Sequence, residues 1–578
     1  MAMKQIKTSM QNALNKLFGT KKPQTDARCG AYSVYLKNAT DGDQPQDIPS
    51  QGIAPMVSII VTMNDSDVSM LKRTLESIKN QTYKLIETSL VTLLDKPCLG
   101  SLEGYGTVHM SMVTEPRDML DAAFGQCSGE LIAFMNSGDI LHPNAIELMT
   151  SELCKFGGCE FVYSDYDETD KSGERSHPHF LPNYSSATLL CHNYIGRPGL
   201  VSKSLYKRVG GPKSMLPADM YSFVMAAAIT SVYVAHVGRV LYSVYEPDQS
   251  TLGMRAAIDE LLEKTGVNGF CQNGLYDGSF RVRYILKGEP KLAIVIPNLN
   301  EQDRLRKCLE AIDDNSLTDN YELLISDRGS TDPRTLRYYD ILEKNKAARI
   351  VRTSEPISMA RAMNTAADLA SADAYLFLSP KTKLILPNSL DSMLELCMQK
   401  HTGAVGAKLI DPIRRIYEAG LVIGLNGWAG SLYKGTHEDP TDEDFNRFVN
   451  SVRTVSAVSA NAMMISSERF QGAGQFDVSC QQIGYDIALC IELYRKGYMN
   501  VYTPYARFMY EADENEPTFY NASDDDLARC YDIIRTTLIH GDPFYSTSFD
   551  YTKSIPTIGT DIVAPIEINP IYKQKAES

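Results

Sequence analysis

Long apolar runs are missing from this 578-residue chain. No stretch of about eighteen consecutive apolar residues is present to span a bilayer, and the amino terminus has no continuous apolar core of the secretory kind. The expectation is a soluble, cytoplasmic protein. Its 12 cysteines include no CxxC pair and no metal-ligand spacing, Cys154 and Cys159 being the nearest two. They read as thiols of a reducing compartment, not as a disulfide frame or a zinc site. An excess of positive charge is missing as well: a net charge of −14 argues against nucleic acid as a partner, while leaving room for an anionic ligand held by local groups. Tryptophan is reduced to Trp428.

What is present is ordered around Lys291–Asp332. A branched apolar run, Leu292–Ile296, stops at Pro297; Leu305, Leu309 and Ile312 then recur at helical spacing, and a second apolar run, Leu323–Ile325, meets Asp327-Arg328-Gly329-Ser330. This predicts a β-α-β unit with an acidic, glycine-containing loop at the carboxyl end of its second strand. In an open parallel sheet ligands collect there, and a carboxylate at that place suits a nucleotide's base or ribose. The same opening, Pro55–Val61 followed by a Leu71, Leu75, Ile78 stripe, occurs more than two hundred residues upstream. A repeat at that distance predicts two similar domains, and the length is ample for two cores.

The ends differ. In residues 1–24, Met3, Ile6, Met10, Leu14, Leu17 and Phe18 share a helical face, and five lysines stand unopposed by acids. The pattern suits either peripheral contact with an anionic membrane surface or a helix docked on the protein's own core. Residues 26–52 are polar and contain proline and glycine, as a linker does. Beyond 517, Leu527, Tyr531 and Ile534 predict a helix, and the last stretch, 541–578, reads as an extended arm or a disordered tail.

Ordered along the chain are VSIIVTMND, SIKNQTY, FVYSDYDETDKSGERSHPHFLPNYS, CHNYIG, RVRYILKGEP, LAIVIPNLN, ISDRGSTD, GAVGAKLIDP, YEAGLVIGLNGWAG and GYDIALCIELYRKGYMNVYTPYA. In this order the chain from about Pro55 to about Glu516 resembles the family 2 glycosyltransferases, in particular the tandem rhamnosyltransferase-like proteins of bacterial surface-polysaccharide clusters. The resemblance implies an α/β fold with two tandem GT-A (Rossmann-like, nucleotide-diphospho-sugar transferase) domains. They would occupy residues 54–285, with degenerate motifs, and 286–516, preceded by the 1–53 segment and linker and followed by a 517–578 helix and tail. It implies transfer of a sugar from a nucleotide-diphosphate donor to a glycan or lipid-linked glycan acceptor, with inversion, at the inner face of the cell membrane. The alternative is an inactive pair of domains serving as scaffold or carbohydrate-binding partner of an active transferase.

Site residues follow from the same resemblance. Pro297, Asn300, Asp327, Gly329 and Ser330 stand at the nucleotide walls, and Arg361 and Asn364 on a small-residue helix beneath the sugar diphosphate. The family's divalent cation, Mn2+ or Mg2+, needs aspartates to neutralise the departing diphosphate. In the first domain Asn136 and Gly138 replace them, leaving Asp139 as metal ligand or as a turn residue. In the second domain Lys381 falls at the metal aspartate and Tyr510 at the histidine. Lys381 and Lys383 then either place charge against the diphosphate or form a solvated turn. Trp428 is the acceptor-stacking candidate, or a structural residue. Asp486, and Asp219 in the first domain, match the first member of an acidic pair opening a helix; Ala488 and Tyr221 replace the second. A base must take the acceptor hydroxyl's proton, and Asp486 is the candidate, its alternative being a helix-start carboxylate favoured by the dipole.

Overall fold

The computed structural model describes residues 31–37, 54–63, 67–93, 102, 104–155, 159–197, 199–245, 247, 249–353, 355–440, 442–513 and 522–559. Residues 1–24 and the tail beyond 559 lie outside them. Two mixed sheets dominate. The first runs, edge to edge, Thr107–Val113, Ile86–Leu93, Val57–Met63, Leu131–Asn136, Leu200–Ser202, Cys159–Thr169, Tyr233–Tyr245 and Ile140–Leu141, with Arg175–His179 hairpinned onto Cys159–Thr169. The second runs Arg349–Val351, Tyr321–Asp327, Leu292–Asn298, Ala374–Leu378, Ala462–Ser466, Thr402–Ile410, Met499–Tyr510 and Thr382–Leu384, with Ile416–Glu418 on Thr402–Ile410. Numbered by their own chain order, both sheets read 3-2-1-4-7-6-8-5. The parallel and antiparallel joins match place for place.

The strands are apolar at nearly every position because helices or loops cover both faces. Leu292, Ile294 and Ile296 enter one core while Ala293 and Val295 enter the other, the alternation a pleat demands. The first sheet divides Val57, Ile59 and Val61 from Ile60 in the same way. Leu292–Asn298 continues through Pro297, where the sequence placed its end. Its pairing with Ala374–Leu378 stops at Val295, so the missing proline N–H leaves no gap in the ladder on that side. Within the stretch read as a linker, residues 31–37 are helical. Tyr32 and Tyr35 are buried there with Phe180 and Val240, and the Tyr32 hydroxyl donates to Asp167 at 2.5 Å. Two aromatics in a polar setting anchor a segment whose composition suggested none.

The units meet through paired side chains. Arg283 forks onto Glu395, 2.6 Å at the shortest contact, Arg281 lies 4.0 Å over the Tyr505 ring, and the Ser185 and Thr454 hydroxyls are 2.5 Å apart. After the helix Asp524–His540, residues 541–559 run as an arm along both units. Phe549 packs on Phe180 of the first unit and on Phe448 of the second.

Candidate functional site

A cavity of about 790 Å3 opens in the second unit, beyond the carboxyl ends of Leu292–Asn298 and Ala374–Leu378, where an open sheet leaves room for a ligand. Five residues singled out in the sequence line it: Pro297, Lys381, Trp428, Asp486 and Tyr510. Lys381 sits in the turn after Ala374–Leu378. Its Nζ lies 3.0 Å from the Asp513 carboxylate, which Arg304 also binds; these cations hold the Asp513 carboxyl down at about 2. Trp428 lies near the start of the helix Tyr485–Arg495, its ring 3.6 Å from where a Cβ on Gly484 would stand.

Asp486 occupies the first turn of that helix and is half-buried in the cavity wall. One carboxylate oxygen accepts from the Ala460 N–H at 3.1 Å, the other from the Ile487 N–H at 2.9 Å. Burial raises its pKa, and these N–H groups partly oppose the rise. The preceding peptide N–H, that of Ser459, donates to Glu418 at 3.1 Å, and the Ser459 hydroxyl donates to the other Glu418 oxygen at 2.6 Å. Glu418, on the short strand Ile416–Glu418, also lines the cavity. Burial pushes its carboxyl up to about 7; the Ser459 bonds act against this and the Asp486 charge adds to it.

The loop expected to meet the nucleotide is turned inward. The Asp327 carboxylate is 3% exposed and accepts from the Ser330 N–H and, at 3.1 Å, from the Tyr339 hydroxyl. Asn300, at φ 58, caps the Thr331 and Asp332 N–H groups at 2.8 Å each. Gly329 has φ +95, and a Cβ there would stand 3.0 Å from the Pro356 nitrogen. These residues, with Ser330, shape a loop from which Arg328 reaches the cavity. Of the other expected contacts, Arg361 is exposed and Asn364 exchanges hydrogen bonds with the Phe476 backbone at 2.9 and 3.1 Å. Lys383 is paired with Glu511. None of the three lines the cavity.

In the first unit the corresponding turn is closed by protein. Asp139, 1% exposed, accepts from the Asn136 and Tyr245 N–H groups at 2.7 and 2.9 Å and is ion-paired with Arg197. Arg73 donates to the Gly138 carbonyl at 2.6 Å. Gly138, φ +101, lies so close to Tyr245 that a Cβ would come within 2.3 Å of the ring. Asp219 begins the helix Pro217–Thr230 and accepts from Ser214 at 2.6 Å. A divalent cation does not fit either donor set. Asp139 is consumed by an arginine and two N–H groups, Lys381 is itself a cation, and among the described residues no three His, Cys, Asp or Glu side chains converge as a metal site.

Glu418 and Arg328 were not singled out in the sequence. The signal for Glu418 is a lone acid heading the apolar stretch Ala419–Ile423, a position that burial makes costly unless the group is used.

The second unit is thus a parallel-rich α/β unit with a cavity at its strand ends that carries cations on one wall and carboxyls on another. Residues 293–407 match the family model described as Glycosyl transferase family 2. The chain is 27% identical over 487 residues to the protein y4gI of Sinorhizobium fredii, covering 78% of this chain and 52% of that one. It is 24% identical over 525 residues to the O-antigen biosynthesis protein RfbC of Myxococcus xanthus, 86% of this chain and 41% of that one. The chain thus spans about half the length of the curated relatives it matches. Among solved structures it is similar to GalNAc-T7 with UDP, GalNAc and Mn2+ (14% identity, TM-score 0.36, 43% of this chain and 48% of that one). It is also similar to a mannosyltransferase of Pyrobaculum calidifontis with GDP-Man and Mn2+ (15%, 0.31, 40% and 59%). At these scores the architecture is carried by the strand order above. The family match lies within the second unit, and no helix among the described residues is long and apolar enough to cross a membrane.

Proposed function

We propose that the second unit transfers a sugar from a nucleotide-diphosphate donor to a growing bacterial surface glycan, with inversion. The observation that carries this is Asp486, placed at a helix start in the wall of the cavity that also holds Lys381 and Trp428, within a unit whose residues 293–407 match family 2. In such a transfer the acceptor hydroxyl oxygen bonds to the anomeric carbon as the bond to the diphosphate oxygen breaks. Asp486 takes the hydroxyl proton, and the charge left on the diphosphate is met by Lys381 and Arg328 in place of a metal. Trp428 supplies a flat apolar face for the acceptor sugar. The 327–332 loop walls the nucleotide side. The scaffold alternative has its support in the first unit, where Arg73, Arg197 and Tyr245 fill the equivalent turn; that unit serves here as structural partner.

Calorimetric titration with UDP, dTDP and GDP, each with and without manganese, is the test. Binding that is indifferent to manganese and weakened about tenfold or more by Lys381→Ala is the expected result. No binding of any nucleotide under any condition would hand the whole chain to the scaffold reading. Peripheral attachment of residues 1–24 to an anionic bilayer belongs to the same proposal. Deleting them should release the protein from anionic liposomes in a sedimentation assay, and unchanged sedimentation would reject the attachment.

A further inference from the structure

Resting on that reading of the site, we infer that Glu418 and Asp486 work as a carboxyl pair that holds one proton between them, with Glu418 the protonated, positioning member and Asp486 the ionised base. The geometry is a shared strut. Ser459 and Ala460 are neighbours, and their backbone N–H groups donate to Glu418 and Asp486 respectively, so two successive peptide units joined at the Ser459 Cα set the spacing of the two carboxyls. Both groups line the same cavity, and among the described residues neither forms a salt bridge. Two unpaired carboxylates side by side in an enclosed wall repel each other, and removing that repulsion costs only one proton.

The asymmetry of their settings decides where the proton rests. Asp486 stands in the first turn of an 11-residue helix, where the aligned peptide dipoles favour an anion, and it accepts two backbone N–H groups. Glu418 has no helix end behind it and one of its two donors is a hydroxyl, which can equally accept the carboxyl's own proton. The surrounding cations do not neutralise the pair. Lys434, whose charge reaches Glu418, lies 4.5 Å over the Tyr417 ring. Lys381 is engaged with Asp513 and Arg328 with the Ile357 carbonyl. Glu301 and Asp513 add negative charge to the wall, Tyr485 and Tyr510 add hydroxyls, and the Cys490 thiol behind the pair is pushed upward by burial and stays neutral.

The consequence is a site with one negative charge while Glu418 keeps its proton and two once it is lost. The second charge faces a diphosphate donor, so nucleotide affinity should fall as pH rises through the range in which Glu418 ionises. Calorimetry with UDP, dTDP and GDP at about pH 6 and pH 8 reads this directly. Wild type should bind on the order of tenfold more weakly at the higher pH. Glu418→Gln, which imitates the protonated acid, should bind nearly equally at both. A Glu418→Gln variant with the wild-type pH dependence would overturn the pair while leaving the transferase reading intact.

If no nucleotide binds at any pH, the transferase reading fails and the pair is still tested by infrared difference spectroscopy between the same two pH values. The protonated carboxyl band lost in wild type should be absent from Glu418→Gln. In Asp486→Asn it should disappear at lower pH, because the like charge beside Glu418 is gone. Identical bands in wild type and Glu418→Gln would reject the inference.

Discussion

A carboxylate whose oxygens are spent on neighbours has nothing left for a ligand, and by that accounting Asp139 and Asp486 part company although the sequence offered both. Asp139 balances Arg197 in a closed turn, so its role is structural. Asp139→Asn leaves a largely buried guanidinium without its counter-charge and should destabilise the first unit by about 3–5 kcal/mol, read by denaturant unfolding, while nucleotide affinity of the second unit stays unchanged. Lost affinity at full stability would move the site to the first unit. Asp486 is held by N–H donors alone and keeps the capacity to take a proton. Asp486→Asn should remove transfer by a hundredfold or more, the range of general-base catalysis (about 10²–10⁴), and spare nucleotide binding. An active Asp486→Asn variant would exclude it as the base.

Between residue and fold stand the elements that aim these groups, and the helix Tyr485–Arg495 is the most constrained of them. Its first residues reach the cavity because Gly484 turns at φ +88 with no room for a side chain: a Cβ would lie 2.7 Å from the Cys530 sulfur. Gly484→Ala should therefore cost about 1–3 kcal/mol and move Asp486 off its bonds to the 459–461 turn. Thermal unfolding and transfer rate together check this; an alanine variant of wild-type stability would show that the backbone there has slack. Elements of this kind were unevenly legible in the sequence. Leu292–Ile296, Leu323–Ile325 and Pro55–Val61 announced themselves because strands buried on both faces read as branched apolar runs. The stripe Leu305, Leu309, Ile312 likewise gave its helix, observed as Gln302–Asn315. The second half of the sheet was hidden, since Thr402–Ile410 takes its parallel partner from Met499–Tyr510, far beyond any local pattern. Glu418 was hidden for the same reason: its neighbour Asp486 is brought to it by that pairing. The Asp327 loop was legible as a loop, but which of its side chains faces the cavity depends on Tyr339 and Ser330, and only Arg328 does.

At the scale of the whole molecule one strand order is used twice with different outcomes, an open cavity in one unit and a side-chain plug in the other, and the arm 541–559 fastens the two together. Asp542 anchors that arm. It is 5% exposed and accepts from the Ile423 and Phe544 N–H groups at 2.7 and 2.8 Å, yet burial pushes its carboxyl up to about 6. A carboxyl raised on folding binds its proton more tightly in the folded state. Its contribution to stability is therefore complete below about pH 4 and disappears as pH rises through about 6. Asp513, held down at about 2 by Arg304 and Lys381, acts in the opposite sense, adding stability that is lost only as pH falls below about 4. The net curve thus mixes both signs, and the informative quantity is the difference between variant and wild type. Asp542→Asn cannot ionise, so the gap between the two stabilities should shift in the variant's favour between about pH 5 and pH 8, by on the order of 2 kcal/mol. Denaturant unfolding across that range measures it. Because the arm bridges Phe180 and Phe448, limited proteolysis between the units should show the same pH dependence in wild type and none in the variant. A gap that stays constant with pH would mean that Asp542 is solvated and that the arm is held by its aromatic contacts and backbone hydrogen bonds.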